Sequence, residues 1–215
     1  MASAVRPDRI SARELARELA LPLPGRAAQL TMAPEYRLPP AAADIPCEPG
    51  RAASVLVLLY PDAPGTSFPL IRRTDSPGPH GGQMALPGGA LDGCESPERA
   101  ALRETEEELG VEPSAIELLG ALSPLPIVRS GFLVQPFVGW IDERPSFRPS
   151  PAEVAEIVET GLDELLDPAN RRIGHREYDG RQWNVPYFSI KGHEVWGATA
   201  MILAEFAAIV SGIAL

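Results

Sequence analysis

The segment GALDGCESPERAALRETEEELGV, residues 89–111, decides how this chain is read. Six glutamates fall within it, and Glu95, Glu104, Glu107 and Glu108 hold fixed places around Arg103 and between Gly89, Gly110 and Val111. Carboxylates crowded in this way repel one another unless a cation relieves them. Hard divalent cations choose oxygen ligands, so the segment reads as a site for Mg²⁺ or Mn²⁺. Phosphate chemistry follows as the leading expectation.

Local signals give the segment its shape. Ser96 suits an N-cap, Pro97 the first helical position and Gly110 the stop, which predicts a helix over residues 97–109. At about 100° per residue, Glu104 and Glu108 lie one turn apart on one face with Glu107 adjacent. Ala100, Ala101, Leu102, Thr105 and Leu109 supply the packing surface. Arg103 sits beside the acidic face, where it can orient carboxylates through charge-assisted hydrogen bonds. Gly88 and Gly89 carry no Cβ, so a main-chain carbonyl can approach the same cation. An ordinary solvated helix would mix Lys and Glu at i,i+4 spacing; here glutamates crowd with few cations to offset them.

Outward from this helix the pattern mixes strands and helices. A capping box, Ser11 with Glu14, predicts a helix over residues 8–20 whose Ile10, Leu15 and Leu19 form an apolar face that must pack on something. Pro22 and Pro24 end it. Residues 33–49, rich in proline and alanine, read as an extended connector. Strands are expected over residues 53–60, 68–73, 116–122, 131–141, 154–160 and 182–190, and residues 83–91 read as extended. Residues 163–166 suit a short helical turn, and residues 196–210 a closing helix apolar on most of its circumference. The expectation is an α/β or α+β sandwich, with a helix and extended arm over residues 1–49 and one domain over residues 50–215.

Composition narrows the setting. The chain has 215 residues, 45% of them hydrophobic, and a formal net charge of −10, which disfavours non-specific nucleic-acid binding. A bound metal can still invert the local field for a small polyanion. No apolar run reaches the roughly 18–20 residues that span a bilayer, and residues 1–10 lack a signal-peptide core. Cys47 and Cys94 have no metal-type spacing, consistent with a reduced, cytoplasmic compartment. Lys191 is the sole lysine. The N-terminal arm and the closing helix leave room for a homodimer.

At residues 89–111 the chain resembles the Nudix hydrolases, whose motif is G-x5-E-x7-R-E-U-x-E-E-x-G-U with U aliphatic. Gly89, Glu95, Arg103, Glu104, Glu107, Glu108, Gly110 and Val111 match it, and Thr105 departs at the first U position. The resemblance implies a Nudix-type α/β/α sandwich with a mixed sheet and hydrolysis of a small-molecule diphosphate with Mg²⁺ or Mn²⁺. It implies Glu104, Glu107 and Glu108 as metal ligands and Arg103 and Glu95 as the residues that brace them; a backbone carbonyl at Gly88 or Gly89 would join the ligands.

Just upstream, Arg73, Thr74, Gly82, Pro87, Gly88 and Gly89 resemble the coenzyme A pyrophosphatase branch, R-S/A-x3-R-x3-G-x3-F-P-G-G, with Gly78 in place of the arginine and Leu86 in place of the phenylalanine. Residues 153–156 and 195–200 also look like this branch. The resemblance then implies cleavage of CoA to 3',5'-ADP and 4'-phosphopantetheine, with Arg73, His80 and Gln83 toward the substrate. Glu107 or Glu153 would be the general base. His80 reads equally as a solvated loop histidine, and Glu153 as an exposed carboxylate before a strand. Gly78 favours another diphosphate, such as ADP-ribose, a nucleotide sugar or a dinucleotide. A non-catalytic nucleotide-sensing module would have no need of the full glutamate set.

Overall fold

The strand β1 (Ala52–Asp62) explains the architecture, because its apolar run is buried on both sides. Side chains alternate along a strand. Leu56 and Leu58 enter one apolar cluster with Ile71, Ala101, Leu109 and Phe137, while Val57 and Leu59 enter another with Phe68, Phe206 and Leu203. A strand covered on both faces reads as a nearly continuous hydrophobic stretch, as residues 55–60 do. The computed structural model describes residues 10–37, 51–75, 81–127 and 130–213, apart from the side chain of Tyr178.

The elements run α1 (Ala12–Leu19), α2 (Gly25–Leu30), β1, β2 (Gly65–Arg73), β3 (Met84–Ala85), β4 (Gly88–Ala90), α3 (Pro97–Leu109), β5 (Glu117–Ala121), β6 (Leu125–Ile127), β7 (Phe132–Trp140), β8 (Val154–Gly161), α4 (Leu162–Leu166), β9 (Arg171–Tyr178), β10 (Arg181–Ile190), β11 (His193–Trp196) and α5 (Gly197–Ile213). Among the described residues, an eight-stranded sheet has the path β3-β2-β1-β7-β5, with β4 on β1, β6 on β7 and β8 on β2. β1 and β7 are parallel and their other pairings antiparallel, so the sheet is mixed. A second sheet, β11-β10-β9, stands beside α5. Helix α3 covers one face of the large sheet and α5 the other, which makes the fold an α/β sandwich. Among the described residues no helix is long and apolar enough to cross a membrane.

Three sequence expectations change. Residues 33–37 are not extended: Ala33 is buried and Glu35–Arg37 is a 3-10 turn, held where Tyr36 meets Trp183 edge-on at 6.1 Å and Glu35 accepts the Asn184 amide at 3.2 Å. Residues 38–50 lie outside the described residues. The strands β9 and β11 were not expected, and each joins β10 through a two-residue turn with both residues at positive φ, Asp179-Gly180 and Lys191-Gly192. This is the twist-matched hairpin turn. Trp196 closes β11, so α5 begins one residue later than expected; the Arg176 guanidinium lies 4.4 Å from the centroid of its ring.

Helices α1 and α2 pack on α5 and β5, with Ile10, Leu15, Leu19 and Met32 inside the larger cluster. Glu205 fastens this contact. Fully buried in α5, it accepts the Gly25 and Ser123 amides at 3.2 Å each on Oε1, and Gln29 Nε2 at 2.8 Å on Oε2. In Glu205→Gln an NH₂ must face one of these donors, so a buried group loses its partner, at about 1–3 kcal/mol. The expected result is a lower urea midpoint at unchanged m-value.

Candidate metal centre and active site

Helix α3 begins as its sequence dictates: the Ser96 hydroxyl accepts the Arg99 amide, Pro97 opens the helix, and Gly110 ends it in the left-handed conformation. Ala100, Ala101, Thr105 and Leu109 are buried toward the sheet. Packing that face turns Glu104 and Glu108 toward Gly88 and Gly89 of β4. The Glu108 carboxylate is 1% exposed and accepts the Gly88 amide at 2.9 Å on Oε2, while its Oε1 lies 3.9 Å from Arg73 Nη1. A Cβ built on Gly89 would stand 2.4 Å from Glu104 Oε1, so the missing side chain makes room for that carboxylate.

The third acidic residue comes from far along the chain. The loop from Asp142 to Glu153 caps the C-terminal end of α3: the Arg148 amide donates to Leu109 O at 2.7 Å, and the Ser150 amide to Glu108 O at 3.0 Å. These carbonyls would otherwise be unsatisfied helix ends. The Ser150 carbonyl then accepts the Glu153 amide at 3.1 Å, and Glu153 O accepts the Thr74 amide at 3.0 Å. Glu153 is thereby delivered to the helix face. Carboxylate oxygens of Glu104, Glu108 and Glu153 lie within 4.8 Å of one another.

Such a group is electrostatically uneasy. Two full charges about 5 Å apart repel by roughly 3 kcal/mol at an effective dielectric of about 20. Burial pushes the Glu108 carboxyl up to about 7, against the Gly88 amide and Arg73, which favour its charged form. Burial also raises Glu104, opposed by Arg103. All donors are carboxylate oxygens, the chemistry suited to a hard divalent cation, and the Gly89 gap keeps Glu104 in place. The residues therefore fit the cation that the motif implies.

Arg103 organises the outer side of the helix. It donates to Glu95 at 2.7 and 3.2 Å, to Glu104 at 2.9 Å, to Glu107 at 3.1 Å and to the Ala90 carbonyl at 3.1 Å. The hydrogen bond to Arg103, and then the Asp92 amide, hold the Glu95 carboxyl below its ordinary range. The bond to Glu95, reinforced by Glu104 and Glu107, keeps Arg103 protonated.

Of the residues named from sequence, the structure thus gathers Glu104, Glu108 and Glu153, with Arg73 against Glu108 and Gly89 against Glu104. Glu107 stands outside that group, its side chain 51% exposed and paired with Arg103. The Gln83 carbonyl accepts the Arg73 amide at 3.0 Å, which places Gln83 at the β2 edge. His80 and Gly78 lie outside the described residues. Arg72 is engaged with Glu156 at 3.3 Å and Asp75 at 3.6 Å. Arg144 and Tyr60, which both hydrogen-bond the Glu159 carboxylate, had no sequence signal.

A family model described as the NUDIX domain matches residues 50–180. The uncharacterized Nudix hydrolase NudL of Pectobacterium atrosepticum is 37% identical over 82% of this chain and 91% of its own. The mitochondrial Nudix hydrolase 15 of Arabidopsis thaliana is 30% identical over 75% of this chain and 59% of its own. Among solved structures, a C. elegans Ap4A hydrolase binary complex superposes with a TM-score of 0.50 at 19% identity, over 76% of this chain and 99% of that one, a likeness of fold.

Proposed function

Because the chain belongs to the Nudix hydrolase family, enzymes acting on small-molecule diphosphates, we propose that it is a metal-dependent pyrophosphatase of coenzyme A, releasing 3',5'-ADP and 4'-phosphopantetheine. The observation that carries the reading is the meeting of Glu104, Glu108 and Glu153, with the Arg73 guanidinium beside Glu108. A bound Mg²⁺ or Mn²⁺ supplies charge neutralisation at the phosphate oxygens and acidifies water.

The chain's own residues do the rest. Glu104, Glu108, Glu153 and the Gly89 carbonyl would hold the cation. Arg73 grips a phosphate of the substrate through its planar fork. The Glu153 carboxylate takes the proton of the attacking water as the water oxygen bonds to phosphorus and the bridging P–O bond breaks. Arg103, with Glu95 and Glu107, keeps Glu104 aimed inward, the kind of support that is worth about 10–100-fold in metal affinity or activity.

The CoA assignment is supported by the residues upstream of the acidic helix. Arg73 ends β2 close to the site with Thr74 just beyond it, and Leu86, where that branch has phenylalanine, is buried in the core and fills an apolar slot. Gly78, where that branch has arginine, favours a second reading: another diphosphate such as ADP-ribose, a nucleotide sugar or a dinucleotide.

The test is a substrate panel with Mg²⁺ or Mn²⁺, resolved by chromatography. CoA should yield 3',5'-ADP, and excess EDTA should stop the reaction. AMP from ADP-ribose with CoA left intact would replace the CoA reading by the second one.

A further inference from the structure

The loop that carries Glu153 is tied down at a point remote from the acidic helix. Arg144, at its start, forms a two-pronged ion pair with Glu159 of β8: Nε to Oε2 at 2.8 Å and Nη2 to Oε1 at 2.5 Å. The Tyr60 hydroxyl donates to the same Oε2 at 2.8 Å, and the Tyr60 ring meets Phe147 of the loop edge-on at 5.8 Å. Tyr60 is fully buried in β1. One residue of the central strand thus touches the loop through its ring and the loop's ion-pair partner through its hydroxyl.

This joint has the chemistry of a fixed anchor. Burial opposes the Glu159 charge, yet the Arg144 fork and the Tyr60 hydroxyl outweigh it and hold the carboxyl below its ordinary range. Burial, and then the bond to Glu159, push the Tyr60 phenol far up, so it remains a donor. A bidentate Arg–carboxylate pair fixes orientation as well as distance. Beyond the anchor, the loop's next backbone bonds go to Leu109 and Glu108 of α3 and lead directly into Glu153.

We infer that Arg144, Glu159 and Tyr60 are positioning residues of the metal centre, fixing the loop whose last residue, Glu153, completes the carboxylate group with Glu104 and Glu108. The inference rests on the reading of these three glutamates as cation ligands. Loosening the anchor lets the loop shift on α3, and Glu153 shifts with it. The anchor therefore acts on metal affinity through Glu153, and its effect disappears once Glu153 no longer ligates.

The test is a double-mutant cycle read by Mn²⁺ binding to the whole 215-residue chain, following the electron paramagnetic resonance signal of free Mn²⁺. Arg144→Met changes a half-exposed side chain, and Tyr60→Phe keeps the ring against Phe147 while deleting only the hydroxyl, so both are suited to fold. Each is expected to raise the Mn²⁺ dissociation constant about tenfold in the wild-type background and less than twofold in the Glu153→Gln background. The charge swap Arg144→Glu with Glu159→Arg should recover part of the affinity.

Equal weakening in both backgrounds would overturn the inference, because the anchor would then be merely structural. Unchanged affinity in both anchor variants, with Glu153→Gln weakened, would overturn it as well. Unchanged affinity in Glu153→Gln itself would remove the ligand reading beneath the inference, an outcome distinct from the other two.

Discussion

Glu108→Gln is expected to fold, to become more stable than the parent protein at alkaline pH without metal, and to lose diphosphate hydrolysis by roughly three orders of magnitude, about 4 kcal/mol of transition-state stabilisation. The amide oxygen of glutamine can still accept the Gly88 N–H that Glu108 accepts at 2.9 Å, so β4 keeps its tie to α3. What disappears is a charge that burial disfavours. The folded carboxyl titrates at about 7, above its unfolded value. In the apo protein this group therefore favours folding below the unfolded pKa, and that contribution is lost as pH rises through 7, in all roughly 3 kcal/mol. Glutamine carries no such dependence. Melting temperatures in EDTA should be similar for the two proteins at pH 4 and favour Glu108→Gln at pH 8. A variant both less stable at pH 8 and fully active would refute this account of Glu108. The same titration means that a cation competes with a proton, so its binding should strengthen as pH rises toward 7 and level off above it.

The neighbouring glycines should fail in opposite ways when each is changed to alanine. Gly88 has φ +149°, and a Cβ there would lie 2.2 Å from the Ser54 carbonyl oxygen and 2.6 Å from Val55 Cα. Both atoms belong to the backbone of β1, which cannot retreat without breaking the sheet. Gly88→Ala should cost roughly 2–5 kcal/mol of stability. At Gly89 the nearest atoms are the Glu104 carboxylate, with Oε1 at 2.4 Å. This is the mobile end of a side chain, which can swing aside. Gly89→Ala should therefore stay within about 1 kcal/mol of the parent in stability while turnover falls roughly a hundredfold, because Glu104 has left the cluster. Urea denaturation and kcat/KM on both variants separate the two effects. Full activity in Gly89→Ala would contradict the placement of Glu104.

Much of this was legible in the sequence because it is local. The Ser96 cap, Pro97 and Gly110 act within one helix, and the phase of that helix alone puts Glu104 beside Glu108. The apolar run at residues 53–60 announced a strand, and the structure covers it on both faces. Strand β9 was missed because Arg171, Arg172, His175, Arg176 and Glu177 give it no apolar alternation; the Asp179-Gly180 pair was the available signal, since it favours the turn that folds β9 onto β10. Helix α2 is only six residues long and lacks a side-chain cap. Glu153 appeared in the sequence as a loop carboxylate with two readings. Its meeting with Glu104 and Glu108 depends on backbone bonds between residues more than 35 positions apart, which no local pattern encodes. Glu107 shows the converse. Its position one residue before Glu108 does not reveal that Arg103 draws it away from the group.

The central claim is that Glu104, Glu108 and Glu153 form the seat of the cation on which hydrolysis depends. It is tested most directly by equilibrium Mn²⁺ binding to the purified protein and to the Glu104→Gln/Glu108→Gln double variant, each first shown to be folded. Saturable binding is expected for the parent protein and is expected to be lost in the double variant. Binding of Mn²⁺ to both with the same affinity and stoichiometry would contradict it.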